Sequence, residues 1–112
     1  MTAACAGIVK SLYPDFGPLQ ITGILKNTAD DIYAIDENVN FLDKLGAGRV
    51  NMFRAVSENL SPYVRLENIQ SSLMDDTLFI TGDFVNYLQQ VQNLSVSLNS
   101  MNENVEVINP EL

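Results

Sequence analysis

The chain has 112 residues, 46% of them hydrophobic, with one cysteine, no histidine and no tryptophan, and its fourteen acidic and six basic side chains leave a formal net charge of −8. Without histidine it can build no Ser-His-Asp triad, no Cys-His pair and no His-ligated metal site, and one cysteine makes neither an internal disulfide nor a thiolate zinc site. An acidic chain lacks the basic footprint of a nucleic-acid binder, no apolar run nears the roughly 20 residues of a bilayer span, and the length fits one domain.

Thr2 to Leu12 contains Ala3, Ala4, Cys5, Ala6 and Gly7 and is apolar nearly all round, which predicts a buried helix that other backbones approach closely. Cys5 reads as buried packing, since no histidine stands near to activate it. Tyr13-Pro14-Asp15-Phe16-Gly17-Pro18 is a turn, with Pro18 suited to the first position of the next helix. Ile21, Ile24, Leu25, Thr28 and Ile32 then share one helical face. Asp30 to Lys44 reads as a polar loop anchored by Tyr33, Ile35, Phe41 and Leu42. Gly46-Ala47-Gly48 opens a third helix carrying Val50, Phe53, Val56 and Leu60, and Ser61-Pro62 ends it.

After Pro62 the period changes to two. Val64 and Leu66 alternate with charged residues, Leu94, Val96 and Leu98 alternate with Ser95, Ser97 and Asn99, and Val105 and Val107 flank Glu106. About four antiparallel strands follow, with turns at Asp75-Asp76, at Thr81-Gly82-Asp83 and from Met101 to Asn104. Charge splits at the same place. Residues 1–60 hold five basic and seven acidic side chains, a net of −2; residues 61–112 hold one and seven, a net of −6. The expected class is α+β, a helical part over 1–60 followed by a β part over 61–112, each small for independent folding.

Three elements in order resemble the last part of the catalytic domain of subtilisin-like serine proteases. The first is the small-residue helix running into Tyr13-Pro14-Asp15-Phe16-Gly17-Pro18. The second is Thr28-Ala29-Asp30, closing the next helix. The third is Gly46-Ala47-Gly48-Arg49-Val50-Asn51-Met52-Phe53-Arg54-Ala55-Val56. The resemblance covers residues 3–56. From Pro62 on, the chain looks like the start of the β-sandwich that follows the protease domain in large secreted bacterial subtilases. It implies that residues 1–60 are the C-terminal helices of an α/β catalytic domain and that 61–112 begin an incomplete sandwich. In that family the catalytic serine opens the first of these helices, so its motif would precede Met1. The aspartate, histidine and oxyanion-hole positions lie further upstream. No catalytic residue is therefore carried over, and the chain alone is expected to be inactive. The carried positions are structural: Pro14, Asp15, Pro18, Thr28, Ala29, Asp30, Gly46, Gly48, Arg49 and Asn51. Gly17 stands where the family offers a Ser or Thr N-cap. The resemblance also implies a secreted or cell-envelope parent of bacterial type, and the rest of that parent as partner.

The residues allow other readings. Gly46-Ala47-Gly48 lacks the third glycine of a phosphate loop, and Arg49 and Asn51 read as groups that hold the loop by hydrogen bonds. Asp30, Asp31, Asp36, Glu37 and Asp43 could suggest calcium, but EF-hand spacing is missing and a solvated acidic loop is the default. Asn59-Leu60-Ser61 and Asn93-Leu94-Ser95 match the glycosylation sequon, a pattern common by chance. No cofactor and no metal is implied, nor any nucleic-acid or membrane partner. The alternative to a protease piece is a stand-alone acidic α+β interaction module whose edge strands pair with a partner, and exposed strand edges also allow self-association.

Overall fold

The computed structural model describes residues 1–88, 93, 95–97, 99–100, 103 and 106–107. The fold is α+β. In chain order it has α1 (Thr2–Leu12), α2 (Pro18–Asn27), a 3-10 helix (Asp36–Phe41), α3 (Met52–Ser57), β1 (Val64–Met74) and β2 (Thr77–Asn86).

The α1–α2 turn follows its sequence closely. Pro14 and Asp15 form a turn in which Phe16 N donates to Tyr13 O at 3.1 Å, and the two rings stack 4.8 Å apart. The Lys10 ammonium crosses the turn to donate to Phe16 O. Pro18 begins α2, where its missing N–H costs nothing. Gly17 has no side chain to cap with. Instead the Gln20 side-chain carbonyl reaches back and accepts from Gly17 N at 2.9 Å, the reciprocal half of a capping box.

Val9, Ile24 and Ala55 form the core, with Val9 fully buried, and Cys5 is buried nearby on α1. Tyr13, Phe16, Ile21, Leu25, Met52, Leu60 and Leu88 pack around them. Leu60 and Leu88 lie outside the helices, so the segments flanking the hairpin are tied to the helical core.

Several expectations are corrected by this packing. α1 is not buried all round: Ala3, Ala4, Gly7, Ile8 and Leu12 are exposed, and a Cβ placed at Gly7 would meet nothing. The face at Ile21, Ile24 and Leu25 is right, but α2 ends at Asn27. Thr28 turns its hydroxyl back to Ile24 O at 2.8 Å, and Asp30 is drawn into extended backbone, leaving Ile32 beyond the helix. α3 is also shorter than its periodicity. It starts at Met52 because Asn51 caps it, with Asn51 Oδ1 accepting from Arg54 N, and Leu60 falls past its end. Ala55 faces the core while Phe53, 77% exposed, faces solvent. The loop anchors Ile35, Phe41 and Leu42 are exposed as well, and the polar loop contains six residues of 3-10 helix, about two turns.

β1 and β2 pair antiparallel, with Met74 opposite Thr77 and Val64 opposite Asn86. Asp75 and Asp76 join them at φ of 48° and 63°, the left-handed pair that a two-residue hairpin of this twist requires. Thr81-Gly82-Asp83 is not a turn. It lies within β2, where Asn68 and Ile69 of β1 bulge opposite Gly82 between the pairs Glu67–Asp83 and Gln70–Thr81. Gly82 fits because the Leu66 side chain lies over it, 2.8 Å from where a Cβ would sit. The bulge sets two carboxylates opposite one another, and each has its own donor. Asn68 Nδ2 donates to Asp83, while the Tyr87 hydroxyl donates to Glu67 at 2.7 Å. Among the described residues the sheet has two strands. The strands expected around Leu94–Leu98 and Val105–Val107, and the turn expected over Met101–Asn104, each include residues outside the described ones.

The hairpin leaves the helical unit at a fixed joint. Asn27 Nδ2 donates to Ser61 O, Ser61 Oγ and Pro62 O, and Tyr87 N donates to Tyr63 O. Tyr63 lies against α2 at Gly23, where a Cβ would come within 2.6 Å of its ring, and Lys26 sits over the same ring.

Candidate functional site

The densest polar constellation is built around Asp30. The helical hydrogen bonds of α2 run out at Thr28 and Ala29, leaving Asp30 extended. Gly46 and Gly48, at φ of +74° and +121°, turn the chain back so that Arg49 meets Asp30 in a backbone bridge. Asp30 N donates to Arg49 O at 2.8 Å, and Arg49 N donates to Asp30 O at 3.0 Å. Such a close approach is possible because residue 48 is glycine: a Cβ there would overlap the Asp30 carbonyl oxygen.

The side chains reinforce this bridge. Asn51 Nδ2 donates to Asp30 Oδ1 at 2.8 Å, and Arg49 Nη2 donates to Oδ2 at 2.9 Å. The Arg54 guanidinium lies 3.6 Å from the carboxylate, donates to Ala29 O at 3.0 Å, and pairs with Glu58 at 2.6 Å. Asn51 thus has two roles, since its amide nitrogen holds Asp30 and its oxygen caps α3. Hydrogen bonds from Asn51 first, then from Arg49, favour the ionised carboxylate and hold the Asp30 pKa below its ordinary value, against a smaller desolvation effect. A carboxylate stabilised in this way is a poor proton donor or acceptor near neutral pH. The arrangement braces the chain.

Ala29, Asp30, Gly48, Arg49 and Asn51 are therefore brought into one cluster. Gly46 joins through Tyr33, whose hydroxyl donates to Gly46 O at 3.1 Å and accepts from Leu45 N at 3.0 Å. Thr28 bonds back within α2, and Pro14, Asp15 and Pro18 belong to the separate α1–α2 turn. Sequence reasoning did not single out Arg54, and it placed Tyr33 only as a loop anchor, not as a hydrogen-bonding group. Arg54 stands three residues after Asn51, the position whose backbone N–H an N-cap side chain accepts from, and this says nothing of where its guanidinium goes. The Tyr33 hydroxyl acts on residues twelve and thirteen further along the chain, and that role had no local signal.

The other candidates do not gather. Among the described residues no three His, Cys, Asp or Glu side chains meet as a metal site. In the acidic loop, Asp31 accepts from Tyr33 N in a local turn. The depression lined by Ile24, Thr28, Ala55, Leu60 and Ser61 holds space for about one water molecule. No described helix is long and apolar enough to cross a membrane.

Comparison with protein-family models, with curated proteins and with solved structures finds no match for this chain.

Proposed function

We propose that this chain is a non-catalytic supporting piece of a subtilisin-like serine endopeptidase, contributing helices that stand behind the catalytic serine and no reacting group. One observation carries the reading. The Thr28-Ala29-Asp30 and Gly46-to-Asn51 elements, which bear the resemblance from separate stretches, meet as a single hydrogen-bonded knot on Asp30. The exposed side of α1 adds support, because Ala3, Ala4, Gly7 and Ile8 are the kind of surface another backbone packs upon closely. The parent would cleave peptide bonds through an acyl-enzyme on serine with an oxyanion hole, and the rest of that parent would be this chain's partner, outside the cell or in its envelope. Incubation with a fluorophosphonate probe, which labels activated serines, should leave the chain unmarked, while an apolar dye should brighten on it. Covalent labelling would overturn the reading.

The exposed hairpin favours a second reading, a stand-alone acidic interaction module that pairs through its strands. Such a module unfolds cooperatively and scatters little light. A supporting piece deprived of its cover unfolds over a broad range and associates.

A further inference from the structure

We draw no further inference here: the strongest candidate, the apolar face of the β1–β2 hairpin carrying the exposed side chains of Leu66, Leu73, Leu78, Ile80 and Phe84, carries nothing because nothing in the structure shows what covers it.

Discussion

Replacing Gly48 by alanine tests whether the Asp30–Arg49 bridge organises the helical part. At φ of +121° residue 48 lies where L side chains rarely go, a strain of about 1–3 kcal/mol. Its Cβ would also collide with the Asp30 carbonyl oxygen, which is backbone and has no rotamer to move. The two strands must then part, and the two backbone hydrogen bonds of the bridge are lost at about 0.5–1.5 kcal/mol each. The expected loss is therefore about 2–6 kcal/mol, a large fraction of what holds a small domain folded. Gly46→Ala is the matched control. Its φ is +74° and nothing lies within 4 Å of the added carbon, so it should cost about 1–2 kcal/mol of strain alone. Urea denaturation followed by far-ultraviolet circular dichroism gives both values, and amide exchange reads the bridge directly. Equal losses for the two variants, or protected Asp30 and Arg49 amides in Gly48→Ala, would refute the reasoning.

The Asp30 carboxyl has a folded pKa below its unfolded value, so its contribution is present above about pH 4 and is lost as pH falls through the folded pKa; Asp30→Asn should flatten the acid limb of a stability–pH curve, and an unchanged limb would count against the cluster. Tyr87 is shifted the other way, chiefly by its hydrogen bond to Glu67 and further by burial, so its phenol should ionise late in an ultraviolet titration and earlier in Glu67→Gln. The Glu67–Tyr87 contribution is present below the ordinary tyrosine pKa and fades as pH rises through the raised one. Ile24→Ala should cost about 2–5 kcal/mol, whereas Phe53→Ser should stay within about 0.5 kcal/mol; comparable losses would contradict the assignment of α3's buried face to Ala55. Gly23→Ala drives a methyl into the Tyr63 ring and should cost about 1–3 kcal/mol, with part of the loss recovered when Tyr63 is also made alanine.

Local signals were the readable ones. Pro14, Pro18 and the Asp75-Asp76 pair announced their turns because each acts through its own backbone torsions. The face of α2 was legible at Ile21, Ile24 and Leu25 because packing there follows helical period. The failures share a cause. Ile32 matches the period but sits past a bridge between residues nineteen apart in sequence, and Phe53 matches it on a helix too short for period to choose a face. Gly82 looked like a turn residue, yet it is glycine because Leu66 covers it from the other strand. For the cluster, Asp30, Arg49 and Asn51 could be singled out from their motif elements, but their meeting on one carboxylate was not visible. That meeting depends on the turn that Gly46 and Gly48 make together with Tyr33.

The most direct test of the protease reading is the nucleotide sequence immediately upstream of the Met1 codon. The account predicts codons there for a Gly-Thr-Ser-Met-like serine motif, in frame or displaced by a frameshift, with the aspartate and histidine motifs further upstream. Upstream sequence that encodes no such motif in any frame would contradict it, and the Asp30 cluster would then belong to a module of another kind.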